Sequence, residues 1–135
     1  MAVIGKAWTS STMRGYLYAA MIHEGSCHCR RIRFRVEGDI KGVISCNCSI
    51  CQRKGSLMWF VPREDLQLLT PDADASVYAF NKHVIQHRFC PVCGIHPYGE
   101  GKDRSGKAMA AINIRCLENI ELEKIPVTPF DGRSL

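Results

Sequence analysis

The sequence predicts an all-β protein. Three observations carry this prediction: one segment alternates strictly between charged and bulky side chains, several further runs are rich in β-branched and aromatic residues, and no window of about 12 residues keeps apolar spacing of helical period. We therefore expect short strands and no long helix. The length of 135 residues, with 46% hydrophobic and 23% charged side chains, fits one globular domain.

The clearest predicted strand covers residues 31–36, where arginines alternate with Ile32, Phe34 and Val36. A period of two places these three apolar side chains on one buried face. A turn follows, and residues 40–44 then predict a second short strand.

Four more strands are expected further along the chain. Residues 57–61 and 108–114 are apolar runs of strand length. Residues 77–80 and 84–89 are rich in β-forming side chains and flank residues 81–82, Asn-Lys. This arrangement predicts a tight hairpin.

The first 20 residues contain Lys6 and Arg14 but no acidic residue. We expect residues 1–20 to be a loose N-terminal extension and residues 21–135 to form a single domain, with Met21 as an alternative initiator. The extension lacks the apolar core of a secretory signal, and its arginine content is low for a mitochondrial transit peptide. No apolar run reaches the roughly 20 residues that span a bilayer. The expected location is the cytoplasm, without membrane attachment.

Eight cysteines are about twice the number usual for a chain of this size. In a reducing compartment, clustered cysteines bind metal or do redox chemistry more often than they form disulfides.

The segment 90–94, Cys-Pro-Val-Cys-Gly, is typical of a zinc knuckle, in which Gly94 can adopt positive φ. A thioredoxin-like redox pair is the alternative, but it requires a βαβ context. Cys27 and Cys29 can point to one strand face and complete a closed four-thiolate zinc site that stabilises the fold.

Cys46, Cys48 and Cys51 form a separate three-thiol cluster. Zinc with three protein ligands keeps a fourth position for water or substrate, as catalytic sites do. In the alternative, Cys116 or His96 completes a second structural site, or the cluster binds no metal. Three thiolates make zinc a poor activator of water, so a thiol is the best fourth ligand. Coordination lowers the pKa of a thiol and leaves a sulfur that can attack an electrophilic carbon.

Three cysteine motifs occur in a fixed order along the chain. They are Gly25-Ser26-Cys27-His28-Cys29, then Cys46-Asn47-Cys48-Ser49-Ile50-Cys51, then Phe89-Cys90-Pro91-Val92-Cys93-Gly94. In this order the motifs resemble the glutathione-dependent formaldehyde-activating enzyme family, which also includes centromere protein V. Arg30 and Gln52 depart from the pattern, because the family often has glycine and arginine at these positions.

The resemblance implies a β-tent fold of packed β-sheets and two zinc ions per chain. It implies a structural zinc on four of the cysteines, Cys27, Cys29, Cys90 and Cys93, and a catalytic zinc on the other three, Cys46, Cys48 and Cys51. It also implies carbon-sulfur lyase activity of the S-(hydroxymethyl)glutathione synthase type. In that reaction a small thiol such as glutathione adds to an aldehyde such as formaldehyde.

Arg53 and Lys54 directly follow the three-thiol cluster. Both are candidate ligands for the carboxylates of an acidic thiol, Arg53 through a bidentate fork. Ordinary surface charge is the alternative interpretation. A non-catalytic, zinc-stabilised interaction module, like the centromere proteins of the family, is the alternative function, because a fold does not by itself determine activity.

A formal net charge of +5 and an arginine stripe at positions 31, 33 and 35 raise the possibility of nucleic-acid binding. Trp59, Tyr78 and Phe80 do not interleave with this stripe, as a stacking platform would require. We therefore expect no nucleic-acid partner and interpret the stripe as a solvated strand face.

Four further side chains receive structural interpretations. We expect His96 to satisfy a turn, with a place in the lining of the site as the alternative, and Cys116 to be a small buried apolar residue. We expect Trp59 and Phe60 to belong to the core or to the wall of a pocket.

Overall fold

The computed structural model describes residues 21–135, and the predicted extension at 1–20 lies outside the described residues. The described chain contains ten strands and one α-helix of six residues. The elements are β1 Ile22–Ser26, β2 Arg33–Glu37, β3 Val43–Cys46, α1 Ser49–Lys54, β4 Met58–Pro62, β5 Leu66–Leu68, β6 Ser76–Tyr78, β7 Gln86–Phe89, β8 Tyr98–Lys102, β9 Ala108–Asn113 and β10 Val127–Phe130. The all-β prediction is confirmed. None of the helical segments within 21–135 has the length and hydropathy needed to cross a membrane.

The strands form two sheets. The smaller sheet has the order β1-β2-β5, and the larger has the order β10-β3-β4-β9-β8-β7-β6. Strand pairs are antiparallel except β3 and β10, which run parallel. Five 3₁₀ turns complete the described chain, at Arg63–Asp65, Asp72–Asp74, Ile114–Cys116, Leu122–Lys124 and Gly132–Ser134.

The core lies between the two sheets, where their apolar faces meet. Phe34 of β2 contacts Tyr98 of β8 edge to face, with ring centroids 5.9 Å apart. Trp59 of β4 is buried in the same core, as predicted. Phe60 is instead half exposed, at 50%, because neighbouring residues of a strand point to opposite faces.

The alternation predicted for residues 31–36 is confirmed, since Ile32, Phe34 and Val36 are all buried. The strand itself begins later, at Arg33. Residues 27–32 form a turn closed by the Cys27 amide, which donates to the Ile32 carbonyl at 3.0 Å.

Two arginines of the predicted stripe are paired with acids. Arg35 binds Glu24 at 2.8 Å, and Arg31 lies 3.6 Å from Asp74. Their charges are therefore partly neutralised within the protein, as on a solvated strand face.

Two strand boundaries differ from the prediction. The strand predicted at 40–44 begins at Val43 and continues to Cys46, so it delivers the first thiol of the three-cysteine motif. β6 and β7 do form an antiparallel hairpin, but residues 79–85 connect them instead of a two-residue turn. Asn81 and His83 both adopt positive φ in this loop.

Candidate metal centres and the adjoining pocket

The first cysteine cluster joins segments that are distant in sequence. Cys27 follows β1 and Cys29 lies in the next turn, whereas Cys90 and Cys93 follow β7. Their four sulfur atoms all lie within 4.8 Å of one another. Because β1 belongs to the small sheet and β7 to the large one, this cluster connects the two sheets.

The spacing of these sulfurs fits a tetrahedral metal site. The Cys27 and Cys29 sulfurs are 3.8 Å apart, and those of Cys29 and Cys90 are 3.6 Å apart. Metal–sulfur bonds of about 2.3 Å in tetrahedral geometry place sulfur ligands about 3.8 Å apart. A disulfide would need about 2.05 Å, and all eight cysteines are free. The donor set and its spacing therefore fit a metal ion such as zinc.

Backbone N–H groups point at the sulfurs of this cluster. The amides of Val92 and Cys93 donate to the Cys90 sulfur at 3.3 and 3.4 Å, and the Ile32 amide donates to the Cys27 sulfur at 3.3 Å. Gly94 adopts a φ of 81°, as predicted for the knuckle. The turn thus presents polar N–H groups to thiolates that would otherwise be desolvated.

The N–H groups change the acidity of the thiols. Burial acts to raise the pKa of Cys93, but the amides of Cys29 and Ile95 outweigh it and lower that pKa to about 6. For Cys90, burial is likewise opposed by the amides of Cys93 and Val92, which lower its pKa. Thiolates are the metal-binding form of cysteine, so these donors prepare the cluster for a cation.

The second cluster is local in sequence. Cys46 ends β3, Cys48 precedes α1 and Cys51 lies within the helix. Their sulfurs lie within 4.8 Å of one another, and the Cys48 amide donates to the Cys46 sulfur at 3.4 Å. Three thiols in this arrangement fit three of the four positions of a tetrahedral metal.

No fourth His, Cys, Asp or Glu ligand atom joins this cluster among residues 21–135. Cys116 lies near the other cluster: its pKa is raised to about 11 by burial and then by the Cys27 and Cys93 thiolates. The described chain therefore supports neither Cys116 nor His96 as a closing ligand.

The three thiols differ in their surroundings. Burial, followed by the Cys48 thiol, raises the pKa of Cys51 to about 12. The pKa of Cys48 is lowered, because the Cys51 amide and thiol overcome the effect of burial. Within this cluster the surroundings therefore favour the thiolate form of Cys48 and disfavour that of Cys51.

A pocket of about 560 Å³ adjoins the helix that carries Cys51. Its wall includes three side chains of α1 and several from the segments around β7 and β9. They are Ile50, Arg53, Lys54, Ser56, Tyr78, Phe89, Gly94, Ile95, His96 and Asn113. Cys51 and Lys54 are three residues apart and so share one side of the helix. The pocket and the three-thiol cluster are therefore neighbours.

Lys54 is held in this wall by a histidine. Its Nζ lies 3.4 Å from Nδ1 of His87, which is buried. Burial and the nearby Lys54 charge lower the pKa of His87 to about 4. His87 is therefore neutral near pH 7, and its Nδ1 can accept a hydrogen bond from the Lys54 ammonium.

Lys54 also interacts electrostatically with the three-thiol cluster. Burial lowers its pKa, whereas negative charge on Cys51 and Cys48 acts in the opposite direction. Lys54 thus lines the pocket and interacts with the thiols, in a partly buried environment that strengthens its interactions with anions.

Both residues predicted to contact substrate, Arg53 and Lys54, line the pocket. Arg53 donates to the Ser49 carbonyl at 2.9 Å. His96 also lines the pocket, which agrees with the alternative interpretation of this residue rather than with a role in a turn alone. The His96 ring packs on Phe89 with centroids 5.4 Å apart, and its buried Nδ1 has no hydrogen-bond partner among the described residues.

His87 is the site residue that sequence reasoning missed. It lies in β7, which carries no motif at that position, and it reaches Lys54 only through the folding of β7 against α1. Its sequence neighbours contain no signal for this contact.

The comparison with known proteins agrees with this geometry. A family model described as "Glutathione-dependent formaldehyde-activating enzyme" matches residues 22–129. The chain belongs to this family. All seven cysteines of the two clusters fall within the matched range. The family resemblance of the three motifs is thus confirmed.

A solved structure has the same fold. It is the crystal structure of a Rhodobacter sphaeroides protein, a structural-genomics target, and it is 26% identical to this chain with a TM-score of 0.67. The alignment covers 78% of this chain and 99% of that one. The two-sheet arrangement is therefore shared with an experimentally determined relative.

Proposed function

We propose that the protein is a carbon-sulfur lyase that adds a small acidic thiol such as glutathione to an aldehyde such as formaldehyde. One observation carries the proposal: three free thiols without a fourth protein ligand in the described chain lie beside a pocket of about 560 Å³. Membership of a family named for glutathione-dependent activation of formaldehyde supports the choice of substrates.

Two zinc ions fit the two clusters. Cys27, Cys29, Cys90 and Cys93 would hold one ion in a closed site that stabilises the fold. The three thiols Cys46, Cys48 and Cys51 would hold the other with one position open. When bound there, zinc supplies a Lewis acid that lowers the pKa of a thiol in the open position. Free thiols at all eight cysteines support a reducing compartment such as the cytoplasm.

The reaction forms one C–S bond and opens the C=O double bond of the aldehyde. The proton lost by the thiol ends on the former carbonyl oxygen, so the addition needs no oxidant or reductant. Lys54 borders the pocket and contacts His87, which supports a role for its ammonium in stabilising negative charge that develops on that oxygen. A fixed cation in a desolvated site stabilises such charge more strongly than water does.

Arg53 supplies a second cation to the same wall. Its guanidinium suits a carboxylate of the incoming thiol, which it can bind through charge-assisted hydrogen bonds. Ile50, Phe89 and Ile95 contribute apolar side chains to the same pocket. The pocket therefore combines two cationic side chains with apolar ones.

The test compares three purified proteins: wild type, Cys48→Ser and Cys116→Ser. Each is analysed for zinc content and for the exchange rate between free formaldehyde and its glutathione adduct, measured by NMR above the uncatalysed rate. We expect wild type and Cys116→Ser to contain two zinc ions and to accelerate exchange. Cys48→Ser should contain one zinc and show only the uncatalysed rate.

Cys116→Ser is the matched control, because it removes a thiol that belongs to neither cluster. If Cys48→Ser keeps two zinc ions or full activity, the assignment of the open site is wrong. A wild-type protein with one zinc and no response to glutathione would favour the non-catalytic interaction module.

A further inference from the structure

The last described strand lies directly beside the three-cysteine motif. β10 pairs in parallel with β3, in a register that places Phe130 opposite Cys46. The amide of Asn47, the residue that follows β3, donates to the Phe130 carbonyl at 3.1 Å. The chain that follows β10 therefore passes over the segment between Cys46 and Cys48.

The side chain of Asn47 holds this passing segment with both of its polar atoms. Its Nδ2 donates to Asp131 Oδ1 at 2.9 Å, and its Oδ1 accepts from the Arg133 amide at 2.8 Å. The Arg133 guanidinium also donates to Gln52 Oε1 on α1. Ser134 Oγ donates to the other Asp131 oxygen at 2.6 Å, which orients the carboxylate. We name residues 130–134 the C-terminal clasp.

Gly132 brings the backbone of the clasp against a thiol. A Cβ atom at this position would lie 2.5 Å from the Cys46 sulfur and 3.4 Å from the Cys48 Cβ. The first distance is well inside van der Waals contact, so any side chain at position 132 must displace the Cys46 sulfur or the clasp.

The family match ends at residue 129, so the clasp residues Asp131, Gly132 and Arg133 lie outside it. Their contacts are nevertheless concentrated on Asn47, which lies between two of the three clustered thiols. The hydrogen bonds and the glycine contact both act on the same short segment, from Cys46 to Cys48.

We propose that the C-terminal clasp is the outer shell of the three-cysteine metal site, with Asn47 and Gly132 as positioning residues that hold the Cys46 and Cys48 sulfurs in ligand geometry. The inference rests on the metal site proposed above. Residues that orient metal ligands usually contribute about 10- to 100-fold to metal affinity. We expect an effect of that size at this site and none at the four-cysteine cluster, which does not contact the clasp in the contacts described.

The first experiment exchanges the donor and acceptor of the Asn47–Asp131 contact. Asn47→Asp places two carboxylates face to face, whereas Asn47→Asp with Asp131→Asn restores an amide-to-carboxylate hydrogen bond with the wild-type net charge. Zinc affinity of each site is measured by chelator competition, with metal counts from native mass spectrometry. We expect Asn47→Asp to weaken zinc binding at the three-cysteine cluster alone, by about 10- to 100-fold. The double variant should recover most of this loss.

The second experiment uses the glycine. Gly132→Ala should weaken the same site, because the added methyl group displaces the Cys46 sulfur. Gly42→Ala is the matched control: it lies at the start of the same β3–β10 pair, and its Cβ would be 3.5 Å from the Pro126 carbonyl, an ordinary contact. This control should keep the wild-type affinity at both sites.

The outcomes separate this inference from the proposed activity. Unchanged zinc affinity in both Asn47→Asp and Gly132→Ala would overturn the role of the clasp, as would a double variant that recovers nothing. Wild-type protein with zinc at the four-cysteine cluster alone would overturn both proposals. Two zinc ions without catalysis would contradict the proposed activity only, because the clasp is judged by metal affinity.

Discussion

The two cysteine clusters present the same ligand atom in different surroundings. The four-cysteine cluster joins residues on the two sheets, and its donor set is complete. The three-cysteine cluster lies within six residues of sequence, leaves one tetrahedral position to another group and borders a pocket. The comparison teaches that ligand number and surroundings, not ligand type, separate a site that stabilises the fold from one that can do chemistry.

The clusters also differ in how they are supported. Backbone amides of the knuckle and of the turn after β1 serve the first cluster. In the second cluster the Cys48 amide donates to the Cys46 sulfur, but the cluster also involves one short helix and lies beside side-chain contacts with residues 130–134. We therefore expect substitutions in the first cluster to affect stability and those near the second to affect metal affinity and turnover.

The largest effect should come from the four-cysteine cluster. Cys90→Ser removes a fully buried ligand, so the protein should lose this metal and more than about 5 kcal/mol of unfolding free energy, which is most of the stability of a domain this size. Circular dichroism during thermal unfolding, with zinc analysis, measures both changes. If Cys90→Ser kept the wild-type unfolding temperature, the four-cysteine cluster would not be the one that stabilises the fold.

The three-cysteine cluster should behave in the opposite way. Cys48→Ser should abolish acceleration of thiol addition while its unfolding temperature stays within about 5 °C of wild type, because the local cluster does not connect the sheets. The same thermal scan and metal analysis are carried out on Cys48→Ser and, as a control, on Cys116→Ser. Global unfolding of Cys48→Ser would show that the second cluster is structural as well.

A smaller effect should follow at the pocket wall. Lys54→Met removes the cation that His87 orients, and kcat/KM should fall by about 100-fold, as it does when one donor to a developing oxyanion is lost. Zinc content should stay at two per chain. Lys54→Arg, which keeps the charge, should retain more activity than Lys54→Met, and equal losses in the two variants would contradict the charge-based role.

The smallest effect is expected from Arg53. Arg53→Gln should raise KM for glutathione about tenfold with kcat unchanged, because one charge-assisted hydrogen bond to a carboxylate contributes about 1.5 kcal/mol or more. A thiol without carboxylates provides the control, since its KM should not respond to this substitution. An equal rise in KM for both thiols would contradict carboxylate binding by Arg53 and indicate that this residue only shapes the pocket.

Much of the fold and of the metal chemistry could be predicted from local patterns. The alternation of Ile32, Phe34 and Val36 identifies a half-buried strand, and the structure confirms it. Cysteine spacing identifies short motifs that can each present neighbouring sulfurs to one metal, and the structure groups these thiols into clusters of four and three. Phe60 shows where this reasoning fails: an apolar run predicts a strand but does not decide which face is exposed.

Contacts between distant segments that carry no metal-ligand motif could not be predicted. Lys54 meets His87 across 33 residues, and Asn47 meets Asp131 across 84. Such contacts depend on the strand order of the large sheet and on the parallel register of β3 and β10, which no local motif specifies. The outer parts of the candidate site therefore emerge only from the folded chain.

The central claim is that one metal site is open to a thiol and the other is closed. The most direct measurement substitutes cobalt for both metals and titrates glutathione while recording the sulfur-to-cobalt charge-transfer bands, with Cys48→Ser as reference. We expect glutathione to change the bands of wild type and to leave those of Cys48→Ser unchanged, because only the three-cysteine site can accept another sulfur. Identical band changes in both proteins, or no change in wild type, would contradict it.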